Sequence, residues 1–285
     1  MTKVLGDLPL ISICIPAYNA APYIKEAIEG WTLQTYKNIE IIIQDDCSID
    51  DTYFLAKELG RSDTRIKVFK NIVNLGIGKN WNEAYNKVKG DYICVFNADD
   101  LIFPDFLSIS LKIFEENPQI DFVIHNYKRS ILGDNHHVFE KFIGLTKDLV
   151  NSDKQNPKRI HWNFTLAKSK SLVRLKNDYG LFYPTQVCDA MLWFEAQKKN
   201  LVAYYLGQPQ GVYRDHEHNN SKIKFGEFDS TFLWMIPIYP EIFNMVHPKK
   251  SIKSFKMLCS YIYHSLINFR LPNFTVIKNI IIYRI

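Results

Sequence analysis

An apolar segment that ends in an amide and two carboxylates, Asn97, Asp99 and Asp100, contains the side chains best suited to chemistry. The apolar residues 92–96 before them predict a buried strand, which would bring these oxygen atoms to one point. Oxygen ligands gathered at a strand end suit a divalent cation. The alternative is that Asp99 and Asp100 only cap a following helix.

The same arrangement occurs twice earlier in the chain. The apolar residues 10–15 are followed by the polar break at 16–19, and the apolar residues 39–43 by the break at 44–52. Each break precedes a segment whose apolar residues have helical spacing, and this alternation predicts a parallel α/β sheet with right-handed connections. Ligands of such sheets bind beyond the carboxyl ends of the strands, where the three breaks are expected to converge.

The periodicity of apolar residues predicts the elements that position these breaks. Strands are expected at 10–15, 39–44, 66–70, 91–96, 121–126, 202–206 and 210–214. Helices are expected at 22–34, 51–60, 78–88, 104–116 and 187–199. The polar residues 127–161 have no clear period and predict a long loop. The preferred division is a catalytic domain over residues 1–225 and a C-terminal helical, basic extension over residues 226–285.

Composition limits the class of protein. A chain of 285 residues with 14% aromatic residues can bury a large core, which excludes a disordered protein. The five cysteines lack the close pairs of a disulfide framework or a zinc site, so a reducing compartment is expected. Neither a secretory signal nor an apolar run of about 20 residues is found. We therefore expect a cytoplasmic protein that is soluble or peripheral at the inner face of the cell membrane.

Positive charge is concentrated near the C-terminus. No acidic residue follows Glu241, whereas several lysines and arginines do, interleaved with bulky apolar residues. This pattern favours attachment to an anionic membrane surface. A helical layer with a basic outer face, packed on the catalytic domain, is the alternative. Nucleic acid is not an expected partner, because no known reading module accompanies the charge.

Several motifs in this chain resemble, in order and spacing, those of inverting glycosyltransferases of the GT-A fold, glycosyltransferase family 2. They are SICIPAYN at 12–19, DDCSIDDT at 45–52, NLG at 74–76 and NADD, the so-called DxD site, at 97–100. The resemblance extends over about residues 9–221. It implies an α/β fold of the GT-A type, with a Rossmann-like, mostly parallel central sheet flanked by helices.

The resemblance also implies a nucleotide-sugar site. Tyr18 would pack against the base of the donor, and Asp46 would accept a hydrogen bond from the ring N–H of that base, which favours uracil over cytosine. Asn97 would lie beside the ribose. The other residues assigned to this nucleotide site are Pro16, Asn19 and Asn74. A UDP-sugar is the expected donor.

Metal and catalytic roles follow from the same resemblance. Asp99 would hold Mn²⁺ or Mg²⁺ at the diphosphate, with His216 completing the site and Arg214 balancing phosphate charge. A loop histidine without a ligand is the alternative for His216. Asp189 aligns with the catalytic base, which would deprotonate an acceptor hydroxyl. The alternative for Asp189 is an acid that only complements the dipole at a helix start.

Three positions depart from the pattern of the family. Asn97 replaces the first acid of the DxD site, Trp81 stands where many relatives carry arginine, and Cys188 replaces the glutamate that usually precedes the base. Because Asp99 and Asp189 are retained, an active enzyme is expected.

The expected reaction moves a hexose or N-acetylhexosamine from a UDP-sugar to a hydroxyl of a glycan acceptor. A lipid-linked acceptor in the biosynthesis of a surface polysaccharide is expected, because the C-terminal region is basic and apolar. One alternative is a non-catalytic nucleotide- or glycan-binding module of the same fold. A nucleotidyltransferase is disfavoured, since residues 16–19 lack the Gly-rich, basic phosphate loop such enzymes normally carry.

Overall fold

A computed structural model of the protein describes residues 8–131, 162–184, 188–217 and 219. All of these except residue 219 belong to one compact unit. The strands are β1 (Ile11–Ala17), β2 (Ile39–Asp45), β3 (Ile66–Lys70), β4 (Tyr92–Val95), β5 (Leu101–Ile102), β6 (Phe122–Ile131), β7 (Thr165–Lys168) and β8 (Ala203–Asp215). The α-helices are α1 (Ile24–Thr32), α2 (Thr52–Ser62), α3 (Ile77–Tyr85), α4 (Phe106–Glu116), α5 (Ser169–Leu175) and α6 (Cys188–Lys198). A short 3₁₀ helix, Trp162–Phe164, precedes β7.

The strands form one sheet in the order β3-β2-β1-β4-β7-β6-β8-β5. The neighbours β3, β2, β1 and β4 are parallel, as are β6 and β8, whereas β7 and β5 run antiparallel to their neighbours. In the register of β1 with β2, Ile11 pairs with Ile39 and Ala17 with Asp45. The polar breaks after β1, β2 and β4 therefore lie at the same edge of the sheet. The predicted α/β fold with a mostly parallel sheet flanked by helices is confirmed.

The core explains why the central strands read as continuous apolar runs. Every residue of β1 and of β2 is buried, which is the pattern of parallel strands covered on both faces. On one face, Trp31 of α1 packs edge to face against Phe96 and Phe106, with ring centroids 5.1 and 5.7 Å apart. This packing fixes α1 against the segment that follows β4, at the edge of the sheet where the polar breaks lie.

Several predicted boundaries were wrong. Residues 127–131 are not loop, because β6 continues to Ile131 by pairing with β8. The two strands predicted at 202–206 and 210–214 are the single strand β8, and the helix predicted from 104 begins at Phe106. The sequence did not predict β5, β7 or α5. Residues 132–161 and the boundary between 225 and 226 lie outside the described residues, so the domain division stays a prediction.

One buried histidine, His125, makes the stability of the fold depend on pH. His125 of β6 is 2% exposed, its Nε2 lies 2.7 Å from the hydroxyl of Ser110, and its ring contacts Phe106. Burial lowers the pKa of His125 to about 3. In the unfolded chain the pKa of a histidine is about 6.5. Between these two values the unfolded state binds a proton that the folded state does not, so the free energy of unfolding decreases as the pH falls.

Replacing His125 by glutamine should therefore flatten the acid side of the stability profile. For this group alone the pH dependence removed is at most about 1.4 kcal/mol per pH unit. Urea denaturation at about pH 7.5 and about pH 5 would measure it. The stability advantage of the wild type over His125→Gln should shrink at the lower pH, and an equal difference at both pH values would contradict the prediction.

Candidate active site

The turn between β4 and β5 carries Asp99 and Asp100. Because the element that follows is a strand, the interpretation of these acids as a helix cap is wrong. Asp100 is fully buried and accepts hydrogen bonds from the backbone N–H of Arg214 at 2.9 Å and from the side-chain amides of Asn97, at 3.3 Å, and Asn163. Burial, and to a lesser degree the charge of Asp99, raises the pKa of Asp100 well above its usual range. Asp100 thus joins the turn to β8 and to the 3₁₀ helix.

Asp99 and His216 are brought together from distant parts of the chain. The side chain of Asp99 is 25% exposed, and its Oδ2 lies 3.0 Å from Nε2 of His216, the residue that follows β8. Within the ranges that the structure describes, no group of three or more His, Cys, Asp or Glu side chains could hold a metal ion. A site with one or two protein ligands suits Mg²⁺ or Mn²⁺, whose coordination is completed by phosphate oxygens and water. The donor set therefore fits a divalent cation that binds together with a diphosphate.

Arg214 contacts both Asp99 of this pair and Glu26 of α1. Its side chain is 1% exposed, and the guanidinium forms an ion pair with Glu26 and donates to the backbone carbonyls of Asp99 and Tyr23. The contact with the Tyr23 carbonyl measures 3.3 Å. The phosphate contact expected for Arg214 stays a prediction, and a phosphate would have to compete with these protein groups.

Asp46, the first residue after β2, holds the loop that leads into α3. Its Oδ1 accepts from the Asn71 side chain at 2.7 Å and from the Leu75 N–H at 2.8 Å, and its Oδ2 accepts from the Gly76 N–H at 2.9 Å. Gly76 has φ +79°, a conformation that glycine adopts without the Cβ strain of other residues. Asn74 is exposed, and its side-chain carbonyl also accepts from the Gly76 N–H, at 3.0 Å. This region is the predicted nucleotide pocket.

The end of β1 lies next to this region, because the Asp46 N–H donates to the backbone carbonyl of Ala17 at 2.8 Å. Pro16 pairs with Gln44 in the sheet, and the ring of Tyr18 is 50% exposed, as a stacking surface for a base requires. Asn19 donates its backbone N–H to the Ser48 hydroxyl at 2.9 Å and accepts from the Ile49 N–H at 3.1 Å. These bonds join the loop after β1 to the loop after β2.

Asp189 lies in the first turn of α6 and is partly exposed. The segment before α6 is held by α3, because the side-chain amide of Asn82 bonds to the backbone carbonyls of residues 179 and 182 and to the N–H groups of residues 181 and 182. A Cβ on Gly78 would lie 1.9 Å from the carbonyl oxygen of Tyr183, so only glycine permits this close approach. Helix α3 therefore contacts residues 179–183, which precede the helix that carries the predicted base Asp189, and the loop held by Asp46 leads into the same helix α3.

Two of the departures from the family pattern are core residues. Trp81 is 9% exposed and packs edge to face on Phe182 at 5.1 Å, and Cys188 is buried. The position at which many relatives carry arginine thus contributes to packing in this chain. Asn97, the third departure, donates to Asp100.

Sequence reasoning missed four residues around the site. Asn71 directly follows β3, so the rule that polar residues at strand ends gather at one edge would have found it. Asn163 precedes β7, a strand that was not predicted. Tyr23 and Glu26 lie at the start of a helix, and no local signal indicates that they contact Arg214 of β8, which follows 191 and 188 residues later.

A mostly parallel sheet with a carboxylate–histidine pair at the carboxyl edge, next to a loop held by Asp46, is typical of α/β proteins that bind a ligand at this edge. Residues 12–175 match the family "Glycosyl transferase family 2", more than half of the chain, and the chain belongs to this family. It is a nucleotide-sugar-dependent glycosyltransferase with the inverting mechanism of the family. Membership of this family contradicts the alternative that the protein is a nucleotidyltransferase.

The chain is similar to several known proteins. An uncharacterized glycosyltransferase of Haemophilus influenzae is 28% identical over 92% of this chain and 88% of its own length. Chondroitin synthase of Escherichia coli is 36% identical, over 41% of this chain and 17% of its own length. Staphylococcus aureus TarS 1–349, solved in complex with UDP-GlcNAc, superposes with a TM-score of 0.60 at 18% identity and covers 91% of this chain and 73% of that one.

A second solved structure has the same fold. Mannosyltransferase PcManGT from Pyrobaculum calidifontis, in complex with GDP-Man and Mn²⁺, superposes with a TM-score of 0.62 at 15% identity over 95% of this chain and 79% of that one. Both likenesses show the GT-A-like fold. Among the described residues, no helix has the length and apolar character that crossing a bilayer requires.

Proposed function

We propose that this glycosyltransferase transfers a hexose or N-acetylhexosamine from a UDP-sugar to a hydroxyl of a glycan acceptor. The observation that carries the proposal is the 3.0 Å pair of Asp99 and His216 at the carboxyl edge of the sheet. This pair joins residues 117 positions apart and combines a carboxylate with an imidazole. Such a donor set beside the region predicted to bind the nucleotide supports a cation-assisted departure of a diphosphate.

The choice of uracil over cytosine rests on Asp46. A carboxylate only accepts hydrogen bonds, and each oxygen can accept two. Oδ2 of Asp46 accepts one from the Gly76 N–H, which leaves one acceptor direction for the ring N–H of uracil. Cytosine has no ring N–H at that position. The complex of TarS with UDP-GlcNAc supports a UDP-sugar, whereas the GDP-Man complex of PcManGT makes GDP-sugars the comparison to test.

The divalent cation, when bound, neutralises the negative charge that grows on the nucleoside diphosphate as it leaves. In this chain Asp99 and His216 would hold Mn²⁺ or Mg²⁺, and Asp100 would keep the turn that carries Asp99 joined to β8. Asn97 would face the ribose. Arg214 would add positive charge next to Asp99.

Asp189 would act on the acceptor. Its carboxylate takes the proton of the acceptor hydroxyl while the hydroxyl oxygen forms a bond to the anomeric carbon. The bond from that carbon to the diphosphate oxygen breaks, and its electron pair leaves with UDP. Attack from the side opposite the diphosphate inverts the anomeric centre. The partly exposed position of Asp189 at the start of α6 supports this role.

We further propose a lipid-linked glycan acceptor at the cytoplasmic face of a membrane, in the synthesis of a surface polysaccharide. Support comes from the basic and apolar sequence of residues 249–285, which lie outside the described part of the chain. A relative that carries the name chondroitin synthase supports a glycan as acceptor. The division into a catalytic domain, 1–225, and an extension, 226–285, belongs to the same proposal.

Donor and metal dependence can be tested without knowing the acceptor. We expect the full chain to release UDP from one UDP-sugar of a panel of UDP-, GDP- and dTDP-sugars in the presence of Mn²⁺. Removal of the cation with EDTA should lower this release by a factor of about 10² or more, because the charge of the leaving diphosphate is no longer neutralised. Preference for a GDP- or dTDP-sugar, or release that EDTA leaves unchanged, would contradict the proposal.

A further inference from the structure

The N-terminal end of α1 contacts His216 of the Asp99–His216 pair. The ring of Tyr23, the N-cap residue of α1, stacks on the ring of His216, with centroids 4.7 Å apart and planes inclined by 26°. The guanidinium of Arg214 lies over the same Tyr23 ring, 5.1 Å from its centroid. Tyr23 therefore contacts both residues that β8 and its end bring to the site.

Glu26, three residues further along α1, forms an ion pair with the buried guanidinium of Arg214. A buried charge is costly unless it is paired and hydrogen-bonded, and Glu26 is a carboxylate that pairs with this guanidinium. The same guanidinium donates through Nε to the backbone carbonyl of Asp99. Glu26, Arg214 and Asp99 thus form one continuous chain of contacts.

We infer that Tyr23 and Glu26 are positioning residues for the cation site. Tyr23 holds the ring of His216 in the plane that directs Nε2 toward Asp99, and Glu26 holds Arg214, which in turn holds the backbone of Asp99. Neither residue binds the cation or the substrate itself. The inference rests on the proposed function, since it assumes that the Asp99–His216 pair binds the divalent cation.

The position of these two residues on α1 separates this role from general packing. The buried face of α1 is formed by Ile24, Ala27, Ile28, Gly30 and Trp31, whereas Tyr23 and Glu26 are only partly buried and lie at the N-terminal end of the helix. The ring of Tyr23 stacks on His216, and Glu26 pairs with Arg214, which donates to the backbone carbonyl of Asp99. Two different kinds of contact thus lead from this end of α1 to the Asp99–His216 pair. Residues that orient metal ligands commonly change metal affinity by about 10- to 100-fold when replaced.

The test measures Mn²⁺ binding to the full-length protein by electron paramagnetic resonance titration, with saturating UDP. Tyr23→Leu removes the ring, and Tyr23→Phe keeps the stack without the hydroxyl. We expect Tyr23→Leu to weaken Mn²⁺ binding by about 10-fold or more and Tyr23→Phe to change it by less than about 3-fold. Glu26→Gln should weaken Mn²⁺ binding by about 10-fold, because the guanidinium loses the ion pair that anchors it to α1.

Glu29→Gln on the same helix is the matched control. The side chain of Glu29 is 44% exposed, close to the 42% of Glu26, but its ion pair is with Lys25. This variant should bind Mn²⁺ as the wild type does. UDP binding measured in EDTA should be unchanged in Tyr23→Leu and Glu26→Gln, which separates a local effect on the cation site from a loss of the fold.

The outcomes distinguish the proposed cation site from the positioning role of Tyr23 and Glu26. Wild-type protein that binds no Mn²⁺ in the presence of UDP would overturn the proposed cation site and the inference with it. Mn²⁺ binding that is lost in Asp99→Ala but kept in both Tyr23→Leu and Glu26→Gln would overturn the inference alone. Equal losses in Tyr23→Phe and Tyr23→Leu would overturn the role of the ring stack.

Discussion

Replacement of Asp99 by alanine should lower UDP-sugar turnover by about 10³-fold or more, because a cation at the diphosphate contributes several kcal/mol to the transition state. Asp99 supplies the carboxylate of the only pair of side chains that we assign to the cation, and His216 alone is a weak site for Mn²⁺ or Mg²⁺. The measurement is UDP release from the preferred donor across a range of Mn²⁺ concentrations. Metal-dependent binding of UDP, measured by calorimetry, should be lost as well.

A matched control is Asp178→Asn, since Asp178 is an exposed carboxylate at the tip of a surface turn. It should keep the turnover and the Mn²⁺ dependence of the wild type. Thermal unfolding of Asp99→Ala would show whether the fold is intact, and the buried Asp100 should still join the turn to β8. Full activity of a folded Asp99→Ala protein would contradict the assignment of the cation site.

Replacement of Asp189 by asparagine should slow transfer to the acceptor by about 10²-fold or more while UDP binding stays unchanged. The amide has nearly the shape of the carboxylate but cannot take the proton of the attacking hydroxyl. Asp189 is on α6, whereas the residues assigned to the nucleotide and the cation are on β1, on the loops after β1, β2, β3 and β4, and near the end of β8. Transfer would be measured with a bacterial membrane extract as the source of acceptors, and UDP binding by calorimetry.

A split between these two measurements is what identifies a base. If Asp189→Asn lost UDP binding, Asp189 would belong to the donor site instead. If the variant kept full transfer, the interpretation as an acid that complements the helix dipole would be correct. Asp178→Asn serves again as the control, because it makes the same chemical change at an exposed position.

Much of the site was predictable because its residues follow a local rule. Asp46 and Asp99 follow apolar strands, and parallel strands end at one edge, so the pattern alone predicts that these acids lie on the same side of the sheet. The family motif led us to expect that Asp99 and His216 contribute to one site, and the two side chains lie 3.0 Å apart, while their metal role stays a prediction. The strand β5, only two residues long, gave no periodic signal, and therefore the helix-cap alternative for Asp99 and Asp100 stayed open until the structure was known.

The sequence by itself determined the α/β class, the positions of the first four strands along the chain and the family, because alternating apolar runs and ordered motifs are local features of the chain. Only the tertiary structure decided which polar and charged side chains are paired with other groups of the protein. It buries Arg214 against Glu26, 188 residues earlier, and extends β6 to Ile131 through its pairing with β8. Such contacts depend on sheet order and on the register between distant strands, and neither is encoded in the spacing of neighbouring residues.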